Sequence, residues 1–121
     1  MKNQTYRMTM LYDFYGELLT ERQKEFYQLY YDEDLSLGEI AENYGITRQG
    51  VRDVIARAEA YMTEIEDKTG LVRRFLQRIP HIEAIKTAVD EIKQRNDRLF
   101  EDRQLAALCA EIEKEAAALK E

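Results

Sequence analysis

Five side chains between positions 47 and 57 are suited to one kind of chemistry. Thr47, Arg48, Gln49, Arg52 and Arg57 are spaced to stand along the exposed side of one helix. A guanidinium grips a phosphate or a guanine edge through two parallel hydrogen bonds, and a glutamine amide can do the same with adenine. This is recognition chemistry, in which no bond breaks. Two neighbours modify the face. Asp53 repels phosphates, and Gly50 costs about 1 kcal/mol relative to alanine inside a helix, a sacrifice that suits close approach of a backbone or another helix. The competing account of the five residues is a solvated, solubilising surface.

Other chemistries find no support. One histidine, His81, and one cysteine, Cys109, are too few for a zinc site of the usual ligand count, and neither C-x-x-C nor H-E-x-x-H occurs. Asp32-x-Asp34-x-Ser36 begins like a calcium loop, but Leu37 stands where glycine is needed and Asn43 where a bidentate glutamate is needed. There is no glycine-rich phosphate loop of either nucleotide-binding kind. No cofactor, no metal and no enzymatic activity are expected. Cys109, in "LAALCAEI", reads as a small core residue. A lone cysteine forbids an internal disulfide, which fits a reducing cytoplasm. The tyrosines Tyr12, Tyr15, Tyr27, Tyr30, Tyr31 and Tyr44 could stack on single-stranded bases, yet their helical spacing favours core and rim packing.

The elements that must position the five residues follow from caps and periodicity. Met10, Leu11, Phe14, Tyr15 and Leu18 mark a first amphipathic helix. Thr20 and Gln23 form a capping box that opens a second, with Phe26, Leu29 and Tyr30 as its stripe. Ser36 and Glu39 form another box, opening a short helix that ends at Tyr44. Gly45 then supplies a positive φ, and Thr47 caps a helix running to about Lys68. Ala41 is small where a second helix must cross, Ile46 plugs the turn, and Val51, Val54 and Ile55 join Ile40 and Tyr44 inside. These requirements, met together, define a helix-turn-helix.

Beyond Thr69-Gly70 the spacing predicts a short helix, Leu71 to Ile79, ended by Pro80, with His81 exposed at the next helix start. Ile82, Ile85, Val89 and Ile92 then trace an a/d seam. Asn96-Asp97 interrupts it, and it resumes through Leu99, Leu105, Leu108, Ile112, Ala116 and Leu119, on two helices or one bent helix. The expected architecture is all-α: a helix-turn-helix domain over 1–70 and a coiled-coil-like extension over 71–121. The narrow stripe needs a partner, and a homodimer or higher homo-oligomer is expected, with two recognition helices in fixed relation.

Charge constrains the ligand. The 121 residues carry a net charge of -6, spread as -3 over 1–35, zero over 36–80 and -3 over 81–121. The middle third is thus the least repulsive to a polyanion. No secretory signal is expected at the N-terminus, and no window is apolar enough for a membrane span.

The stretch "LTERQKEFYQLYYDEDLSLGEIAENYGITRQGVRDVIARAEAYM" resembles the promoter-reading helix-turn-helix of housekeeping sigma factors. It is still more similar to the bacterial YlxM family of small helix-turn-helix proteins, through "LYDFYGELLTERQ", "EDLSLGEIAE", "GITRQGVRD" and "TGLVRRF", over roughly residues 8–80. That resemblance implies an all-helical cytosolic bacterial protein whose gene neighbours those of the signal recognition particle GTPase and its receptor, with a part in that pathway or its regulation. It carries no catalytic residues. Thr47, Arg48, Gln49 and Arg52 match the sigma pattern, whereas Gly50 and Asp53 depart from it. Two functions follow as expectations. One is regulation by binding DNA or the targeting-particle RNA; the other is an accessory of the targeting GTPase, bound protein to protein without nucleic acid.

Overall fold

A computed structural model describes residues 5–120; Met1–Gln4, which open the segment where no targeting signal is expected, lie outside them. The protein is all-α. Helices α1 (Thr5–Tyr15), α2 (Glu21–Tyr31), α3 (Leu37–Tyr44), α4 (Arg48–Thr69), α5 (Leu71–Arg95) and α6 (Arg103–Ala118) follow one another, with a 3-10 turn at Gly16–Leu18 and a π-type turn at Asn96–Phe100. No strand occurs among the described residues. They divide into two compact units, the first ending at Val72 and the second beginning at Arg73.

In the first unit the helix ends are fixed by side chains. Thr20 Oγ1 accepts from Gln23 N at 3.1 Å while Gln23 Oε1 accepts from Thr20 N at 3.0 Å. Ser36 and Glu39 repeat the exchange at 3.0 and 3.1 Å. Each such cap satisfies backbone donors that a helix start leaves orphaned, contributing on the order of 1 kcal/mol. Gly45, at φ 66°, ends α3 in the left-handed conformation, and its N–H and that of Ile46 both reach the Ala41 carbonyl. Gly70, at φ 62°, ends α4 in the same way.

Phe26, Ile40, Ala41, Val51 and Ile55 form the buried centre of α2, α3 and α4, with Leu29, Tyr44, Ile46 and Val54 packed around it. Ala41 lets α4 cross α3 closely. Helix α1 lies on α4: the Tyr15 hydroxyl donates to Glu66 Oε1 at 2.7 Å, and the same oxygen accepts from Val72 N at 3.0 Å. Here the structure corrects the first stripe. Leu11 and Tyr15 are buried as expected, but Phe14 and Leu18 are exposed, and Met8 and Leu19 are buried instead. The tighter 3-10 turn after Tyr15 rotates the phase, turning Leu18 outward and Leu19 inward. It starts at Gly16, where a Cβ would meet the Tyr12 ring at 3.0 Å.

Pro80 does not end a helix. Helix α5 runs through it, and His81 is exposed in mid-helix rather than at a helix start. A proline inside a helix removes one hydrogen bond and costs about 3 kcal/mol. The ring lies on the exposed side, and the stripe on either side of it stays covered: Val72, Ile82 and Val89 are buried, and Phe75, Leu76 and Ile79 half-buried.

The second unit is an antiparallel hairpin of α5 and α6, tied by Lys93–Glu113 at 3.0 Å and by a Lys120–Glu83 pair. Its π-type turn is clamped by Asn96, whose side-chain amide donates to the Asp102 carbonyl at 2.8 Å and accepts from Asp102 N at 2.9 Å. Ile82, Val89, Asn96, Cys109 and Ala116 are buried at seven-residue intervals on each helix. Leu105 is half-buried, and the rest of the expected seam is open: Ile85, Ile92, Leu99, Leu108, Ile112 and Leu119 are 41–69% exposed. Two helices alone cover one stripe each, and residues three further on fall to one side of it. Asn96 therefore does not interrupt the seam; it is the polar member of the buried stripe, satisfied by the turn.

Candidate nucleic-acid interface

Helix α4 presents its N-terminal turns to solvent. Thr47 caps it, accepting from Gly50 N at 2.9 Å. The four residues in whose company it was expected, Arg48, Gln49, Arg52 and Arg57, are all exposed. Arg48, Gln49 and Arg52 line one open cleft of about 360 Å³ together with Leu37 from the first turn of α3. Arg57, further along, does not line it. The Arg48 stem lies over Gly38, whose missing Cβ would stand 3.7 Å from Arg48 Cδ. Leu37 and Gly38 were not expected in the site. The signal for them was the capping box at Ser36, which fixes the start of α3 beside the start of α4.

The electrostatics of this corner differ from those of the other two helices in the core. The first turns of α2 and α3 carry Glu21 and Glu39, which suit the positive end of a helix dipole. The first turn of α4 carries no acid and begins with Arg48. Among the described residues, Arg48, Arg52 and Arg57 take part in no ion pair. A helix N-terminus reinforced by cations is a place for an anion. The acid in the middle of the face is partly occupied, since Gln49 Nε2 donates to Asp53 Oδ1 at 2.9 Å. That bond also orients the Gln49 amide.

The space at Gly50 is bounded by its own chain. A Cβ there would stand 3.2 Å from Thr47 Oγ1 and 3.7 Å from Ile46 Cδ1, so its vacancy accommodates the cap and the turn plug of the same chain.

The tyrosines are part of the scaffold. Tyr12 and Tyr27 stack at 4.5 Å with their planes 3° apart, and Tyr31 packs on Tyr27 at 4.6 Å. Burial pushes the Tyr27 and Tyr31 phenols well up from their ordinary pKa, and the hydrogen bond from Tyr31 to Glu59 adds to it. Burial, followed by the bond to Glu66, also raises Tyr15. Cys109 is buried. No described group of three His, Cys, Asp or Glu side chains is placed to hold a metal ion, and no described helix is long and apolar enough to cross a membrane.

A short helix and a long one joined at a glycine turn, the second exposing a cationic start, define a helix-turn-helix protein. The chain belongs to the UPF0122 family, described as "Putative helix-turn-helix protein, YlxM / p13 like", whose model matches residues 2–102. It is 43% identical over 113 residues to a UPF0122 protein of Geobacillus kaustophilus, covering 93% of this chain and 97% of that one. A UPF0122 protein of Thermoanaerobacter sp. strain X514 is 47% identical over 88 residues, 73% of this chain and 75% of its own. A UPF0122 protein of Desulforamulus reducens is 57% identical over 72 residues, 60% of this chain; the match spans 62% of that relative's length.

Proposed function

We propose that the chain is a cytoplasmic, non-enzymatic regulator that binds nucleic acid through the start of α4. Arg48 and Arg52 hold backbone phosphate or a guanine edge, Gln49 reads a base edge, Thr47 sets the helix start, and Arg57 adds a phosphate contact further along. The observation that carries this reading is the pair of unpaired arginines lining the α3–α4 cleft at a helix N-terminus free of acid. The ligand is duplex DNA or the structured RNA of the signal recognition particle, whose pathway the family resemblance suggests. In this reading residues 1–70 are the binding domain, and residues 71–121 hold two copies together.

Fluorescence anisotropy tests it, with targeting-particle RNA and random duplex DNA at two salt concentrations. Wild-type binding should weaken steeply with salt. Arg48→Ala/Arg52→Ala should lower the affinity at least about tenfold and reduce the log–log salt slope by roughly 2 if both contact phosphate. Binding to the purified targeting GTPase, unchanged in the double variant and with neither nucleic acid bound, would transfer the function to a protein partner.

A further inference from the structure

We infer that the exposed apolar face of the α5–α6 hairpin is the docking surface for a second copy of the same hairpin, giving a four-helix bundle. The inference deepens the self-association in the proposed function by assigning its surface and geometry. In the antiparallel hairpin the stripes three residues on from the buried ones fall on the same side of both helices. That side carries Ile85 and Ile92 from α5, Leu99 from the π-type turn, Leu108 and Ile112 from α6, and Leu119 at its C-terminal cap, each 41–69% exposed. Together they offer on the order of 600 Å² per copy, close to the roughly 800 Å² that each partner contributes to a stable interface. That stands at the upper end of the roughly 300–600 Å² that the largest apolar patch of a monomer spans, a size that often marks a functional surface.

Charge identifies the occupant. The ion pair Lys93–Glu113 lies on the opposite flank of the hairpin. On the flank bordering the apolar face, α5 places Glu91 and Arg95 and the π-type turn places Arg98, a net basic rim, while α6 places Glu111 and Glu115, an acidic one. Arg95 also meets Glu91 on its own helix at 2.9 Å, a pair exposed on both sides. A two-fold axis along the bundle sets α5 of one copy beside α6 of the other, so that each basic rim meets an acidic one. The surface is therefore complementary to itself, as a pairing of identical chains requires. Neighbouring helices are then antiparallel throughout, as in up-down bundles.

Sedimentation equilibrium of the chain at micromolar concentration tests the inference. Wild type should be a dimer. Ile92→Glu/Ile112→Glu should raise the dissociation constant at least about tenfold, with helicity checked by circular dichroism. Should that variant unfold, two exposed-rim variants carry the test: Arg95→Glu/Arg98→Glu and Glu111→Arg/Glu115→Arg. Each alone should dimerise more weakly than wild type, and an equimolar mixture should recover a heterodimer. A monomeric wild type at about 100 μM, as expected if the face is covered within one chain, overturns the inference; so does a mixture no more associated than its components. The nucleic-acid assay separates the two readings. A dimer that binds no nucleic acid overturns the proposed function alone, and a monomer that binds it overturns this inference alone.

Discussion

Arg48 sits where helix energetics least want a cation. At the first position of α4 it adds positive charge to a terminus that already carries about half a unit, and no acid stands in that first turn to offset it. Its replacement should therefore move two observables in opposite directions. Arg48→Ala is expected to stabilise the fold by a few tenths of a kcal/mol, up to about 1 kcal/mol at low salt, while weakening anion binding. Chemical denaturation at low and high ionic strength checks the first half, since the gain should shrink as salt screens the dipole. A residue serving the fold alone would lose stability on truncation. The same contrast separates Thr47, whose hydroxyl is committed to the cap, from Arg48 and Arg52, whose guanidinium groups are not committed to the fold.

At the scale of elements, Pro80 is the test case. Restoring the missing donor with Pro80→Ala should recover part of the roughly 3 kcal/mol that a mid-helix proline costs. It also loosens the unfolded chain by about 0.4–1 kcal/mol. The expected net is a higher melting temperature, worth about 2 kcal/mol, read by thermal unfolding. The proline also shows why some elements were legible in the sequence and others were not. Caps and turn glycines act within four residues, so Thr20, Ser36, Gly45 and Thr47 announced α2, α3 and α4. The continuation of α5 depends on burial up to ten residues away on either side of the ring, and a local rule cannot see that. The end of the first stripe was misread for a similar reason: one 3-10 turn, with the Tyr12 ring packed on Gly16, shifts the phase after Tyr15 and exchanges Leu18 for Leu19. In the extension the spacing of the apolar residues was plain, but which half would be buried depended on α6 returning antiparallel. Among the site residues, Leu37 and Gly38 were hidden because only the folded turn brings them beside Arg48.

At the scale of the whole molecule, the tyrosine framework gives the protein a definite alkaline limit. Tyr15, Tyr27 and Tyr31 all hold their protons more tightly in the folded chain than unfolded. Above the unfolded phenol pKa of about 10 the unfolded chain binds fewer protons than the native one, so stability falls as pH rises. Below that pH their contribution is complete. Denaturation midpoints should therefore be insensitive to these groups at neutral pH and drop progressively above about pH 10. The phenolate absorbance of Tyr27 and Tyr31 should appear only with loss of helical circular dichroism. A normal early titration of all the tyrosines with the helices intact would show that the stacked framework is absent.

The Asn96 clamp extends this to kinetics. Asp102 lies between two helices, where backbone amides ordinarily exchange with solvent in seconds, yet its N–H is held by a buried side chain on the other side of the turn. It exchanges when the Asn96 side chain releases it. Its deuterium uptake therefore reads the free energy of opening this one turn, a local event separate from unfolding of the helices that flank it.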